Sequence, residues 1–478
     1  MNYIFLFDWD WALIGIKTLQ LICCLSLLVV LHEGGHFFFA KISGVKVEKF
    51  YMFFNPYFHL FSTRDKWFAK LFPRIAANET EYGIGWIPLG GYVSIAGMVD
   101  ETKNAKDVGT EVHDYDFNSK PIWKRFLIMF GGVLVNFLTA VALYCIIMFT
   151  WGRDILPTQN IPGGLIYSQQ AKEIGFRNGD TPIRIDGNEI EGFSGNLFTD
   201  ISEAKTVTVL RNGKEVTLQM PEGGVSLLDM TQEPKFMAIA IPPVVGDLAH
   251  SYPAEKAGIR KGAQILSLDG DTITDQSDVT VAMLRHSDVL AADDCTHADS
   301  VKALHIQLCV LEPNATKPDT LQLALTDELK LGILWDTSQL EKIETRHISY
   351  TVLTCIPAGC RYGWDTMVDY VTSLKYLFSR KGAESVGSFI TIGSIFPDAW
   401  DWQRFWSLTA FISIILAVMN ILPIPGLDGG HIMLLLWEGI TGKQPSPQAL
   451  EIIEKIGMML LIALMILAMG NDFMRFIL

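Results

Sequence analysis

An apolar run from Trp11 to Leu31, long enough to cross a bilayer as a helix, ends in His32-Glu33-Gly34-Gly35-His36. Histidines four residues apart share one helix face, so both imidazoles reach a single Zn²⁺. Glu33, next to the first of them, is placed to act as base toward the water such a metal activates. Ionisable side chains at membrane depth are costly and mark functional sites. The chain must therefore fold so that protein, not lipid, surrounds residues 32 to 36.

With 478 residues, a hydrophobic fraction of 49% and a mean hydropathy of +0.27, the chain is too apolar for one soluble core and long enough for several domains. A net charge of −14 without any Lys/Arg block excludes nucleic acid as a partner. The first run lacks the basic start and small-residue cleavage site of a signal peptide and is expected to be a retained helix. Lys41, Lys46, Lys49, Arg64, Lys66, Lys70 and Arg74 crowd the loop behind it, which the positive-inside rule puts in the cytoplasm, with the N-terminus outside.

Tyr82 to Met98 is apolar but broken by Gly83, Gly85, Gly90, Gly91 and Pro88. Its aromatic and β-branched residues between glycines predict a short β-hairpin, dipping in against protein or a wet cavity. A second span, Phe126 to Thr150, carries Gly131-Gly132, which permit close helix approach. Asn136 on the same span needs a partner, either as interhelix packing or as a substrate contact.

From Trp151 to about Arg404 the chain is polar and contains a repeat. Ala171-Lys-Glu-Ile-Gly175 leads through Gly179 to a strand and Asp186-Gly187; Ala254-Glu-Lys-Ala-Gly258 leads through Gly262 to a strand and Asp269-Gly270. Each copy predicts a short helix, a strand and a tight hairpin turn, a pattern resembling tandem PDZ domains, which take up extended peptides at a sheet edge. The second copy is expected to hold an inserted loop or hairpin between Arg285 and Leu321, with Asp293, Asp294 and Asn314, and His286, His297 and His305 read as surface residues. In an oxidising compartment Cys295, Cys309, Cys355 and Cys360 form two disulfides in any of three pairings. Val352 to Ser388 predicts an amphipathic, interfacial stretch.

A third span starts near Phe405 and runs into Asn420-Ile-Leu-Pro423-Ile-Pro425-Gly-Leu-Asp428-Gly-Gly-His431, where two prolines must break the helix. A two-histidine zinc site lacks a third protein ligand; Asp428 fits that vacancy, with His431 as a competitor from beyond the turn. A fourth span covers about Ile456 to Met469, and the second and fourth spans are read as carrying no ionisable residue, against an ion-coupled transporter.

His32-Glu33-Gly34-Gly35-His36, the Gly83–Tyr92 stretch and Asn420-x-x-Pro-x-Pro-x-Leu-Asp428-Gly-Gly together resemble the site-2 protease family, and the tandem repeat its bacterial RseP branch. Gly131-Gly132 departs from the family's more usual Gly-Pro. The resemblance implies an intramembrane zinc metalloprotease with ligands His32, His36 and Asp428 and acid/base Glu33. Gly83, Gly85, Gly90 and Gly91 would belong to a hairpin that holds substrate as a strand, and Asn420, Pro423 and Pro425 would help clamp it. The expected fold is a polytopic α-helical membrane protein of about four transmembrane helices, a membrane-associated β-hairpin and two extracytoplasmic PDZ-like α+β domains. Its segments are residues 1–40 with the zinc motif, 41–125 with the hairpin, 126–150, the PDZ-like domains 161–222 and 223–337, membrane-proximal helices 338–403, 404–432 with the broken helix, and 450–478. Expected partners are single-pass transmembrane proteins or signal peptides, the lipid bilayer, and peptide termini at the PDZ domains. The expected location is the bacterial inner membrane, active site toward the cytoplasm. The alternative is a catalytically silent PDZ scaffold.

Overall fold

Four helices of the computed structural model are long and apolar enough to cross a membrane: α1 (Trp11–Ile42), α2 (Ile122–Trp151), and, after α3 (Val352–Ser373), α4 (Trp402–Ile421) and, after α5 (Asp428–Thr441), α6 (Pro447–Phe476). The structure describes residues 11–98, 113–375 and 386–476, apart from 194, 232–233, 251, 293–294, 314, 327–328 and 445. Expectations about Asp293, Asp294, Asn314 and residues 376–385 lie outside these. Two units result, one of residues 1–152 with 349–478, the other Arg153–Ile348.

In the first unit, α1 continues past Leu31 to Ile42, so the zinc motif sits inside the helix rather than at its end. Gln20, Cys24, Leu28, Gly35, His36 and Ala40 form its buried stripe, spaced as one helix face requires. Gly35 meets Gly131 of α2 so closely that a Cβ on either would overlap or press on the other's backbone. Against α2 also lies α3, with Cys355, Gly359 and Gly363 buried and Tyr144 and Tyr362 stacked edge to face at 4.9 Å. The helix of this stretch is thus packed on a neighbour along one face. The apolar stretches 126–150 and 456–469 carry no charged residue, but the helices are longer and bring in Arg125 at the start of α2 and Glu454 and Asp472 in α6. They were hidden because the helices run past the purely apolar windows. α5, directly after the break, is an element the apolar pattern did not separate from the third span.

The glycine-rich stretch is not a hairpin. Strands β1 (Val47–Phe54), β2 (Phe61–Ser62), β3 (Glu81–Ile84) and β4 (Ile87–Ile95) form a sheet in the order β2-β3-β1-β4. β1 lies between the two predicted arms, parallel to β3 and antiparallel to β4. The chain crosses the end of β1 at Gly85 and Trp86, whose amides donate to the Met52 and Phe54 carbonyls. A Cβ at Gly85 would overlap the Phe54 carbonyl, so only glycine makes this crossing. β4 is left as an edge strand.

The second unit repeats one topology twice. Strands β7 (Thr181–Ile185), β8 (Asn188–Glu189), β9 (Thr206–Arg211) and β10 (Lys214–Gln219) order as β8-β7-β9-β10. Strands β13 (Gln264–Leu268), β14 (Asp271–Thr272), β15 (His305–Leu311) and β16 (Asp319–Ala324) repeat that order as β14-β13-β15-β16. At the tight turns Asp186 and Gly187 have φ of 46° and 83°, Asp269 and Gly270 51° and 91°, as the Asp-Gly pattern requires. Each Asp carboxylate then accepts from the next strand, Asp186 from Thr206 N and Asp269 from Gln307 N. Each copy has its own apolar core, one around Phe176, Phe236 and Val207, the other around Ile265, Leu308 and Val310. The unit reaches beyond 161–337, because β5 (Arg153–Ile155) pairs with β18 (Arg346–Ile348). Between Arg285 and Leu321 the chain is part helix and part hairpin: the end of Gln276–Ala291 and the short helix His297–Ala303, each opened by a capping box, are followed by β15 and β16, which pair as an antiparallel hairpin. His286 is tied into this copy by Asp269 and the Ala303 carbonyl. All seven cysteines are free, so the expected disulfides are not present.

Candidate metal centre

α1 brings His32, Glu33 and His36 to the place where α4 breaks. Pro423 and Pro425 have no amide to donate and end α4 at Ile421; Gly426 turns at φ 88°, and Leu427 caps α5 in extended conformation. Asp428 is therefore the first residue of α5, where a negative charge suits the helix dipole. Its Oδ2 lies 3.2 Å from His32 Nε2 and 3.4 Å from His36 Nε2, and the two Nε2 atoms are 3.2 Å apart. Ligands held at roughly 2.0–2.1 Å by a tetrahedral ion stand about 3.3 Å apart, so this triangle has the size one Zn²⁺ demands. Oδ2 is buried and takes part in no hydrogen bond of acceptable geometry, as a ligand atom would be. Among the described residues no other cluster of three His, Cys, Asp or Glu can hold a metal.

The ring nitrogens turned away from the triangle are also held. His36 Nδ1 lies 2.8 Å from the Ile128 carbonyl, which can only accept, so Nδ1 carries the proton and Nε2 the lone pair. The Asn136 amide lies 3.2 Å from His32 Nδ1, and its buried oxygen has no other partner; turned so that this oxygen accepts, it frees His32 Nε2 in the same way. Asn136 is thus a neighbour of the ligand and lies outside the cavity lining. Asn420 Nδ2 is 3.3 Å from His32 Nε2 and does line the cavity. Gly132 faces both imidazoles: a Cβ there would overlap His36 Nε2 and approach His32 Cε1 to 2.6 Å.

A cavity of about 370 Å³ opens beside the cluster, lined by His32, Glu33, His36 and Asp428 and by Gly90 to Val93 of β4. The Val93 amide is directed at the Glu33 carboxylate. Gly90 and Gly91 are at this wall, whereas Gly83 and Gly85 are not: they make room for the Tyr51 ring and the Phe54 backbone. Pro423 and Pro425 shape the turn, and Gly426 and Leu427 are the residues of it that reach the cavity. His431 is outside the ligand triangle and pairs with Glu454 of α6, Nε2 to Oε1 3.5 Å.

Two features were not read from sequence. Arg125 and Glu438 form a buried two-pronged pair, 2.9 and 2.5 Å, tying α2 to the far end of α5. No local pattern links Arg125 to a glutamate so distant in the chain. Glu454 precedes the purely apolar stretch of α6 and was left outside it.

Peptidase family M50 matches this chain over residues 20–464. The regulator of sigma-E protease RseP of Escherichia coli is 26% identical over 98% of this chain and 99% of its own length. The protein of the same name in Salmonella typhimurium is 25% identical over 95% and 97%, and the regulator of sigma E protease of Haemophilus influenzae 27% over 95% and 98%.

Proposed function

The chain belongs to peptidase family M50 and is a zinc metalloprotease of the inner membrane, and from that premise we propose that it cuts peptide bonds inside the transmembrane segments of single-pass proteins. The observation that carries this reading is the Nε2–Nε2–Oδ2 triangle, set between apolar helices and open to a cavity. His32, His36 and Asp428 would hold the zinc. When bound, zinc lowers the pKa of a water and polarises a peptide carbonyl. Glu33 is placed to take a proton from the attacking water and to return it to the leaving amide nitrogen. Asn136 and the Ile128 carbonyl fix the imidazoles, so the ligands need not reorganise.

A helical substrate hides its carbonyls in its own hydrogen bonds and must unwind first. As the last strand of its sheet, β4 offers an edge to an unwound segment beside Glu33, and Asn420 with the Pro423–Pro425 turn holds its other side. The crowd of Lys and Arg between residues 41 and 74 supports a cytoplasmic placement of this sheet and an extracytoplasmic second unit. The repeated sheets of that unit are PDZ-like domains that bind peptide termini or filter out intact ectodomains. Substrates are anti-sigma-factor-type proteins, in keeping with the names of the relatives, or remnant signal peptides. A silent scaffold would not need Glu33 beside a complete ligand set.

Cleavage of a single-pass reporter with a short outer stub and a helix-weakening residue tests the reading. Purified protein cuts it, and Glu33→Gln or a zinc chelator abolishes the cut. Cleavage surviving both would overturn it.

A further inference from the structure

The cavity beside the metal cluster is lined by a third acid besides Glu33 and Asp428. Glu454 belongs to a helix apolar enough to cross a membrane, where a carboxylate is tolerated only if it faces protein or water. It faces the cavity, and so does His431, one turn past Asp428 on α5. Close packing sets this position: Gly457, one turn on from Glu454, lies so near the Pro425 carbonyl that any Cβ would overlap it. The turn that carries Asp428 therefore also seats Glu454. The wall also carries the apolar side chains of Val29, Phe54, Ile95, Met129 and Met458.

A strut between helices looks different. Arg125–Glu438 is two-pronged, has bonds of 2.5 and 2.9 Å, and lines no part of the cavity. His431 Nε2 lies 3.5 Å from Glu454 Oε1, and both residues are on the cavity wall. Neither residue belongs to the metal cluster.

We propose that Glu454, oriented by His431, is a specificity-determining residue that accepts a hydrogen bond from a donor side chain of the substrate, an amide or ammonium close to the scissile bond. The inference rests on the protease reading above. Inside a bilayer a donor on the substrate has few partners, and a site built to accept its hydrogen bond discriminates against an apolar residue of similar shape. His431 is a positioning residue, acting through the carboxylate.

The test uses the full-length protein and paired transmembrane peptides carrying Asn or Leu at each position flanking the cleaved bond. For wild type, kcat/KM at one position favours Asn over Leu by about tenfold. In Glu454→Leu that ratio falls to about one, and Glu454→Gln, which still offers an oxygen, restores part of it. Comparing ratios cancels the effect of Asn on the peptide's own helix. A parallel arm measures peptide binding to Glu33→Gln protein with and without Glu454→Leu, and the Kd ratio follows the same pattern. An unchanged ratio in Glu454→Leu, or no position with a donor preference, overturns the proposal. Should Glu454→Leu not fold, Glu454→Gln and His431→Phe carry the comparison. Cleavage that persists in Glu33→Gln would instead overturn the protease site, while the binding ratio would still decide the role of Glu454.

Discussion

Asp428 Oδ2 stands 3.2 Å from His32 Nε2, although almost the whole chain separates the two residues. The contact exists because α1 and α2 meet at glycines and because two prolines stop α4 just short of Asp428. The metal centre is thus a property of helix packing as much as of its ligands.

Gly132 tests the packing half of that statement. A methyl group at this position collides with both imidazoles. Gly132→Ala should weaken zinc binding about 10–100-fold, as changes next to metal ligands do, while the helical circular dichroism persists. Competition with a zinc indicator measures it.

The Arg125–Glu438 pair anchors the end of α5 opposite to Asp428. Removing one partner leaves the other buried and unpaired, which costs about 3–5 kcal/mol. Glu438→Ala should lower thermal stability and loosen zinc, and the exchange Arg125→Glu with Glu438→Arg should recover more than either single change. Unfolding in detergent, followed alongside zinc retention, reads both.

The sheet that carries β4 has a pH-sensitive joint. Burial disfavours the charged Glu81, but the Tyr51 and Ser62 hydroxyls that donate to it at 2.5 and 2.7 Å outweigh burial and hold its carboxyl below the usual range. A lowered folded pKa gives stability that is present above the unfolded value, about 4.3, and is lost as pH falls through the folded one. Wild type should therefore lose more stability than Glu81→Gln on acidification below about pH 4.5. Melting temperatures of the two proteins across pH show it. Tyr51 also stacks on Tyr92 of β4 at 5.4 Å, so the loss reaches the strand beside Glu33.

If the second unit filters substrates, a chain lacking residues 161–337, closed by a short Gly/Ser linker, should cut single-pass proteins with intact ectodomains that wild type spares. Immunoblots of such substrates, with zinc retention as a check on the remaining unit, decide it. Intact substrates left uncut would end the filter idea.

Much of this was legible because local rules decide it. H-E-x-x-H fixes its own geometry on a helix, Pro423 and Pro425 must end one, and Asp186-Gly187 and Asp269-Gly270 adopt the positive φ that their turn needs. What local rules cannot reach was missed. Gly83 to Tyr92 reads as a hairpin because period and turn residues carry no information on partners, and β1 takes the slot between its arms. The helix His297–Ala303 lies in the stretch read as a loop or hairpin from its polarity, although its capping residues Thr296 and Asp299 stand in the sequence. Glu438 and Glu454 look like surface charges until α5 and α6 are folded back onto α2 and the Pro425 turn.

The central claim is that Asp428 completes the zinc site. Zinc per chain, measured by mass spectrometry after dialysis against a chelator of graded strength, tests it most directly. The account predicts one zinc in wild type and its loss from Asp428→Ala at chelator strengths that wild type resists. Zinc held as tightly by Asp428→Ala as by wild type would contradict it.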